Sequence, residues 1–218
     1  MLDTVISFFQ SGGPFMYPIL LVLAIGLTIT IERYVYLSAI KSKNRRALAQ
    51  IMPMLQKGEL NSVIKFSKES NAAVSKILAQ GLLNFKSARR RDDIEASMEE
   101  SIMEAIPRLE KRTHYLAMFA NIATLLGLLG TIIGLIKAFT AVAQVDPSMK
   151  AEILSTSISV AMNTTAFGLI VAIPLLIFYT LLQTKTTEII DSLEMATVRF
   201  VNQLARFKQQ SGQIGNGQ

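Results

Sequence analysis

The chain has 218 residues, of which 50% are hydrophobic and 17% charged, well short of the roughly 25% charged residues of a water-soluble domain. It has no cysteine and a single histidine, His114, which excludes a disulfide framework, a thiolate metal centre and a histidine-cluster metal site. The net charge of +6 raises nucleic-acid binding, but basic residues also crowd the cytoplasmic loops of membrane proteins, and the hydrophobic segments described next favour lipid over nucleic acid.

Residues 1–14 open with Leu2, Val5, Ile6 and Phe9 on one helical face and close on Ser11-Gly12-Gly13-Pro14. This pattern predicts a short amphipathic segment at the membrane interface. An acid, Asp3, and no Lys or Arg precede the first long apolar run. With no basic leader region, that run is expected to stay in the mature protein. Residues 15–37 are the first predicted transmembrane helix, with Glu32 and Arg33 at its inner end and Tyr34 and Tyr36 suited to the headgroup level.

Residues 38–115 read as a cytoplasmic helical domain. Val63, Ile64 and Phe66, then Val74, Ile77, Leu78 and Leu82, recur at helical spacing. Lys57-Gly58 and Asn61-Ser62 look like helix punctuation. From Asp92 onward the acids come first and the bases last, which suits a helix dipole. That helix is expected to run into the second span, bent or loosened at Pro107. Residues 116–139 are the second span and 153–182 the third; each can supply the roughly 20 apolar residues that a bilayer core requires. Residues 140–152, with Asp146-Pro147 as a turn signal, form a short link. Residues 183–218 continue the third span as a helix striped with Ile189, Ile190, Leu193, Val198, Val201 and Leu204, and end in a flexible tail.

The predicted fold is therefore an all-α integral membrane protein. It has three transmembrane helices, two of them extended into the cytoplasm as long helices, plus cytoplasmic loop helices. Fifteen Lys and Arg lie between Lys41 and His114, one lies in the 140–152 link, four follow Gln183 and none precedes Arg33. The positive-inside rule puts the large loop and the C-terminus in the cytoplasm, and the N-terminus and link outside, of a multi-pass membrane protein.

Two spans carry further patterns. In the second, Ala123, Gly127, Gly130, Gly134 and Ala138 fall about one turn apart, with Thr131 beside them. Small residues let helices approach closely in lipid. In the third, Ser157, Ala161, Thr165 and Gly168 form a similar stripe, flanked by Thr156, Ser159 and Asn163. A lone Thr can bond back to its own helix, but the Asn163 amide has no such local solution in lipid. A polar cluster facing a neighbouring helix or a hydrated passage follows. Pro174 lacks an N–H and frees the carbonyl near Ile170. Lys137 is expected to snorkel to the headgroups and His114 to anchor at the interface. There is no phosphate loop, nucleophile elbow or intramembrane acid pair, so an enzyme is not expected.

Three stretches, "GGPFMYPILLVLAIGLTITIERYVYL", "LLGLLGTIIGLIKAF" and "TTAFGLIVAIPLLIFY", together resemble the MotA/TolQ/ExbB superfamily along essentially the whole chain. Three spans resemble its ExbB/TolQ branch; the MotA-like flagellar stators have four. The resemblance implies a homopentameric ring around two copies of a single-span, ExbD/TolR-like partner with a membrane Asp. It implies an ion-channel and motor subunit that turns an ion gradient into mechanical work on the cell envelope or outer-membrane transport. It further implies that Thr131 and Thr165 face the pore and that Gly127, Gly130 and Gly134 form the close-packing stripe with Pro174 in the AIP motif.

The chain departs from the family at Val160, where ExbB and TolQ relatives carry a glutamate. The ion-pathway set is then Thr131, Thr165, Thr164, Asn163, Ser159 and Val160, flanked by the packing residues Gly127, Gly130, Gly134, Ala161, Gly168 and Pro174. Neutral oxygens suit a hard alkali cation, whereas proton transfer wants titratable groups. The transported ion is H+ or Na+, with Na+ preferred, and no cofactor is expected. Two alternatives stand beside the motor: a passive scaffold or receptor-like membrane protein whose polar spans are packing glue, and a flagellar-type stator.

Overall fold

The computed structural model describes residues 8–9, 12–85 and 91–215, with side chains to residue 206. Six helices of ten residues or more account for nearly all of them, and no strand occurs among the described residues. They are α1 (Met16–Gln56), α2 (Leu60–Glu69), α3 (Ala73–Phe85), α4 (Arg91–Glu110), α5 (Thr113–Val142) and α6 (Lys150–Gly215). The all-α class holds, and three helical runs are long and apolar enough to cross a membrane. Of the amphipathic segment expected over residues 1–14, Met1–Ser7, Gln10 and Ser11 lie outside the described residues; Phe8 and Phe9 are helical.

The helix ends follow local chemistry. Gly58, at φ +77, closes α1: its N–H donates to the Leu55 carbonyl and the Glu59 N–H to that of Met54. This is the paired bonding that a left-handed glycine permits at a helix C-terminus. The next helix begins at Leu60, so Asn61 and Ser62 lie inside its first turn rather than ahead of it. The helix expected to run from Asp92 into the second span, bent or loosened at Pro107, is interrupted at Lys111-Arg112, one turn further on. Arg112 takes φ +67 there, a conformation unfavourable for a non-glycine residue by about 1 kcal/mol. Residues 143–149 separate the helices of the second and third spans, since α5 runs to Val142 and α6 starts at Lys150.

The chain divides into two compact units. The first combines Met1–Arg33 with Arg112–Leu182. Its core is Met16, Ile19 and Val22 of α1, Leu116, Ala120 and Ala123 of α5, and Ala161, Val171, Ala172 and Leu175 of α6. Its outer faces are apolar and exposed, among them Leu125, Ile132, Ile136, Phe139, Ile170 and Ile177. Water would not tolerate so large an apolar surface, and a bilayer or neighbouring subunits would cover it.

The second unit combines Tyr34–Lys111 with Gln183–Gln218. Val74, Ile77, Leu78 and Leu82 of α3 are buried with Ile94, Met98 and Ile102 of α4 and with Ile189, Leu193, Phe200 and Leu204 of α6. Val198, expected in that last stripe, is instead 55% exposed. It stands nine residues from Ile189, and at about 100° per residue that is half a turn away. Buried Asn44 of α1 accepts the Val74 N–H at 3.3 Å and so caps α3 from a distant helix. Lys41 of α1 bonds Glu188 of α6, and that bond holds the Glu188 carboxyl below the usual carboxylate range. Lys185 sits 3.8 Å over the Tyr34 ring.

Candidate functional site

The small residues of α5 meet those of α6 in antiparallel register. A methyl group added at Gly127 would stand 3.2 Å from the Thr165 Cα and 3.3 Å from the Gly168 Cα. One at Gly168 would stand 2.7 Å from the Ala123 carbonyl oxygen. One at Gly134 would reach the Ala161 Cβ at 3.0 Å. Backbone therefore lies against backbone where Gly127 crosses Gly168, and the two helices touch with nothing between them. Gly130 faces Thr164 and Phe15.

At this crossing the hydroxyls of Thr131 and Thr165 meet. Thr165 Oγ1 donates to the Gly127 carbonyl across the helix pair at 2.9 Å. Thr131 Oγ1 lies 3.3 Å from the carbonyls of both Gly127 and Ala161. Two hydroxyl protons thus serve a group of four oxygens, which leaves lone pairs without donors. Such a cluster can accept a hydrogen bond from a protonated acid or coordinate a cation. It has no charge and no titratable proton of its own. Both threonines are half-buried.

The other predicted site residues point elsewhere on α6. Thr164 is buried, and its Oγ1 lies 2.5 Å from the carbonyl of Gly12 and 2.9 Å from that of Val160. Val160, one turn before Thr164, is on the same side: its Cγ1 would be 3.2 Å from a Cβ at Gly13, which adopts φ +73. Asn163 is half-buried and Ser159 exposed. At about 100° per residue these two lie on a third sector, well away from Thr165. One chain thus brings Thr131 and Thr165 together, seats Thr164 and Val160 against the Gly12-Gly13 turn, and leaves Asn163 and Ser159 on a separate face. Pro174 is half-buried between the buried residues Ala172 and Leu175. Lys137 and His114 are both exposed.

Three contacts of this unit, two beside the site and one at the far end of α5, have no signature in the sequence. The Thr164–Gly12 bond joins residues 152 positions apart. Arg112 Nη1 donates to Glu32 Oε2 at 2.8 Å where α1 passes the start of α5. Phe167, two residues after Thr165, packs edge-on to Phe9 at a centroid distance of 5.8 Å. Only the alternation of glycine, serine and threonine hinted that partners would be needed.

Residues 69–195 match the model of the MotA/TolQ/ExbB proton channel family. A biopolymer transport protein ExbB homolog of Methanothermobacter thermautotrophicus is 28% identical over 195 residues, covering 88% of this chain and 67% of that protein. A biopolymer transport protein ExbB-like 3 of Synechocystis is 23% identical over 206 residues, covering 94% and 90% of the two chains. The biopolymer transport protein exbB1 of Vibrio cholerae is 46% identical over a shorter stretch of 59 residues, 27% of this chain and 26% of that protein.

Proposed function

The chain belongs to the MotA/TolQ/ExbB proton channel family, and from that premise we propose that it is the ring-forming subunit of an ion-driven motor in the inner membrane. The observation that carries the proposal is the Thr131–Thr165 hydroxyl cluster at the closest approach of α5 and α6. Packing alone does not require two hydroxyls at this point; alanine or glycine would let the helices approach as well. In this proposal five copies surround two copies of a single-span, ExbD/TolR-like partner, with the N-terminus periplasmic and the C-terminus cytoplasmic. The partner brings the acid that both spans lack. Ion binding neutralises that acid and changes its preference between the hydroxyl cluster and the apolar wall, which biases the partner's position in the ring.

Sodium is the proposed ion. Between Leu116 and Leu182 the only acids are Asp146 and Glu152, and Val160 stands where the resemblance to ExbB and TolQ implies a glutamate. The family model is described as one of proton channels, so sodium coupling would be a property of this chain's substitution. The test is ion flux through the chain reconstituted with its partner. Thr165→Val is expected to assemble normally and lose stimulated flux.

A second reading takes the same hydroxyls as glue for a passive scaffold. Its support is that Thr131 and Thr165 bond each other and the backbone within one chain. Under that reading Thr165→Val keeps partner and function.

A further inference from the structure

We propose that the unit built from Tyr34–Lys111 and Gln183–Gln218 has a binding site for a phosphate-bearing anion, separate from the hydroxyl cluster. A cavity of about 430 Å³ opens there among α1, α3 and α4. Its lining is mixed: Ile77 and Leu109 are buried there, with Tyr36 and Ile40 beside them, and Asn44, Asn71, Gln80 and Ser101 add polar groups. Its rim carries Lys43 of α1, Lys76 of α3 and Arg108 of α4. Glu104 is the one carboxylate among the lining residues, and it accepts a hydrogen bond from Arg108 at 3.0 Å. Lys43 and Lys76 form no ion pair among the described residues.

Three cations against one engaged carboxylate leave the rim net positive. Two unpaired lysines lining the same cavity favour an anion, and the forked Arg108 can hold a phosphate with the nitrogens that Glu104 does not use. The start of α3, at Ala73, also borders the cavity and adds the positive end of a helix dipole to the same side. Ile77 and Leu109 offer an apolar patch to whatever carries the phosphate. Tyr36 and Leu109 each stand three residues from the points where the chain passes into the other unit, at Arg33 and Arg112. An anionic phospholipid headgroup and a soluble phosphate ester share this chemistry, and both fall within the proposal.

The full-length chain tests it in two arms. In phosphatidylcholine nanodiscs, saturable binding of inorganic pyrophosphate is measured. In detergent, the retention of phosphatidylglycerol over phosphatidylcholine is measured by mass spectrometry after delipidation. The Lys43→Ala/Lys76→Ala variant removes two exposed, unpaired side chains and leaves the fold intact, while Lys43→Arg/Lys76→Arg keeps the charge. Loss of two cations is expected to weaken binding by about ten-fold or more, with the arginine variant near wild type. An effect on pyrophosphate identifies a soluble phosphate compound as the occupant. An effect on phosphatidylglycerol retention alone identifies a lipid headgroup. Equal behaviour of the wild type and the alanine variant in both arms overturns the proposal.

Discussion

Thr164 and Thr165 are neighbours with different work. At about 100° per residue they cannot face the same partner. Thr165 reaches across to Gly127 and Thr131, and Thr164 reaches Gly12. Thr164→Val leaves the Gly12 carbonyl without its donor in a buried place and is expected to destabilise the chain by about 1–3 kcal/mol. A lowered thermal midpoint in detergent checks this, and Thr164→Ser should restore it. Thr165→Val removes an intramembrane hydrogen bond between helices that remain packed, so it should cost only about 0.6–1.7 kcal/mol. Its effect is expected in ion flux instead. A variant that unfolds, or one that conducts normally, would contradict that division between the two threonines.

Element packing turns on glycines whose importance depends on what they face. A Cβ at Gly168 meets the Ala123 carbonyl and the Gly127 backbone. Neither can rotate away, so Gly168→Ala must push α5 and α6 apart, at a cost of about 1–3 kcal/mol. A Cβ at Gly12 has as its nearest neighbours atoms of the buried Met16 side chain, which is more adaptable than backbone. The thermal midpoint in detergent should therefore fall further for Gly168→Ala than for Gly12→Ala; the reverse order would mean that the helix crossing is looser than described. The glycine stripe was legible in the sequence because its spacing matches the helix period. So were the three apolar runs and the helix stop at Lys57-Gly58, but not that the helix of the first span, expected over 15–37, runs on to Gln56. The break at Lys111-Arg112 was not, since proline signals a disturbance without fixing where the chain resumes. Nor was the outward turn of Val198, which only counting from Ile189 reveals. The Asn44 cap on α3 and the Thr164–Gly12 bond were illegible for a deeper reason. Each joins residues far apart in the chain, and no local period records such a pairing.

For the whole molecule, the central property is that neither membrane-crossing wall of the hydroxyl cluster can titrate. Thr131 and Thr165 offer oxygen lone pairs, the nearby carbonyls of Gly127 and Ala161 offer more, and Val160 lies against the Gly13 turn. Under the proposed motor reading, a proton moving along this path would have to rely on an acid of the proposed partner alone, whereas a sodium ion could exchange water oxygens for hydroxyl and carbonyl oxygens in steps. Flux in proteoliposomes holding the chain and its partner is therefore expected to rise and saturate with sodium. It should fall to the background level when potassium or choline replaces sodium at a constant membrane potential. Thr131→Val should abolish this sodium dependence together with flux, because it removes an oxygen from the cluster. Full proton-driven flux in sodium-free buffer would assign the charge movement to the partner's acid and leave the threonines as packing.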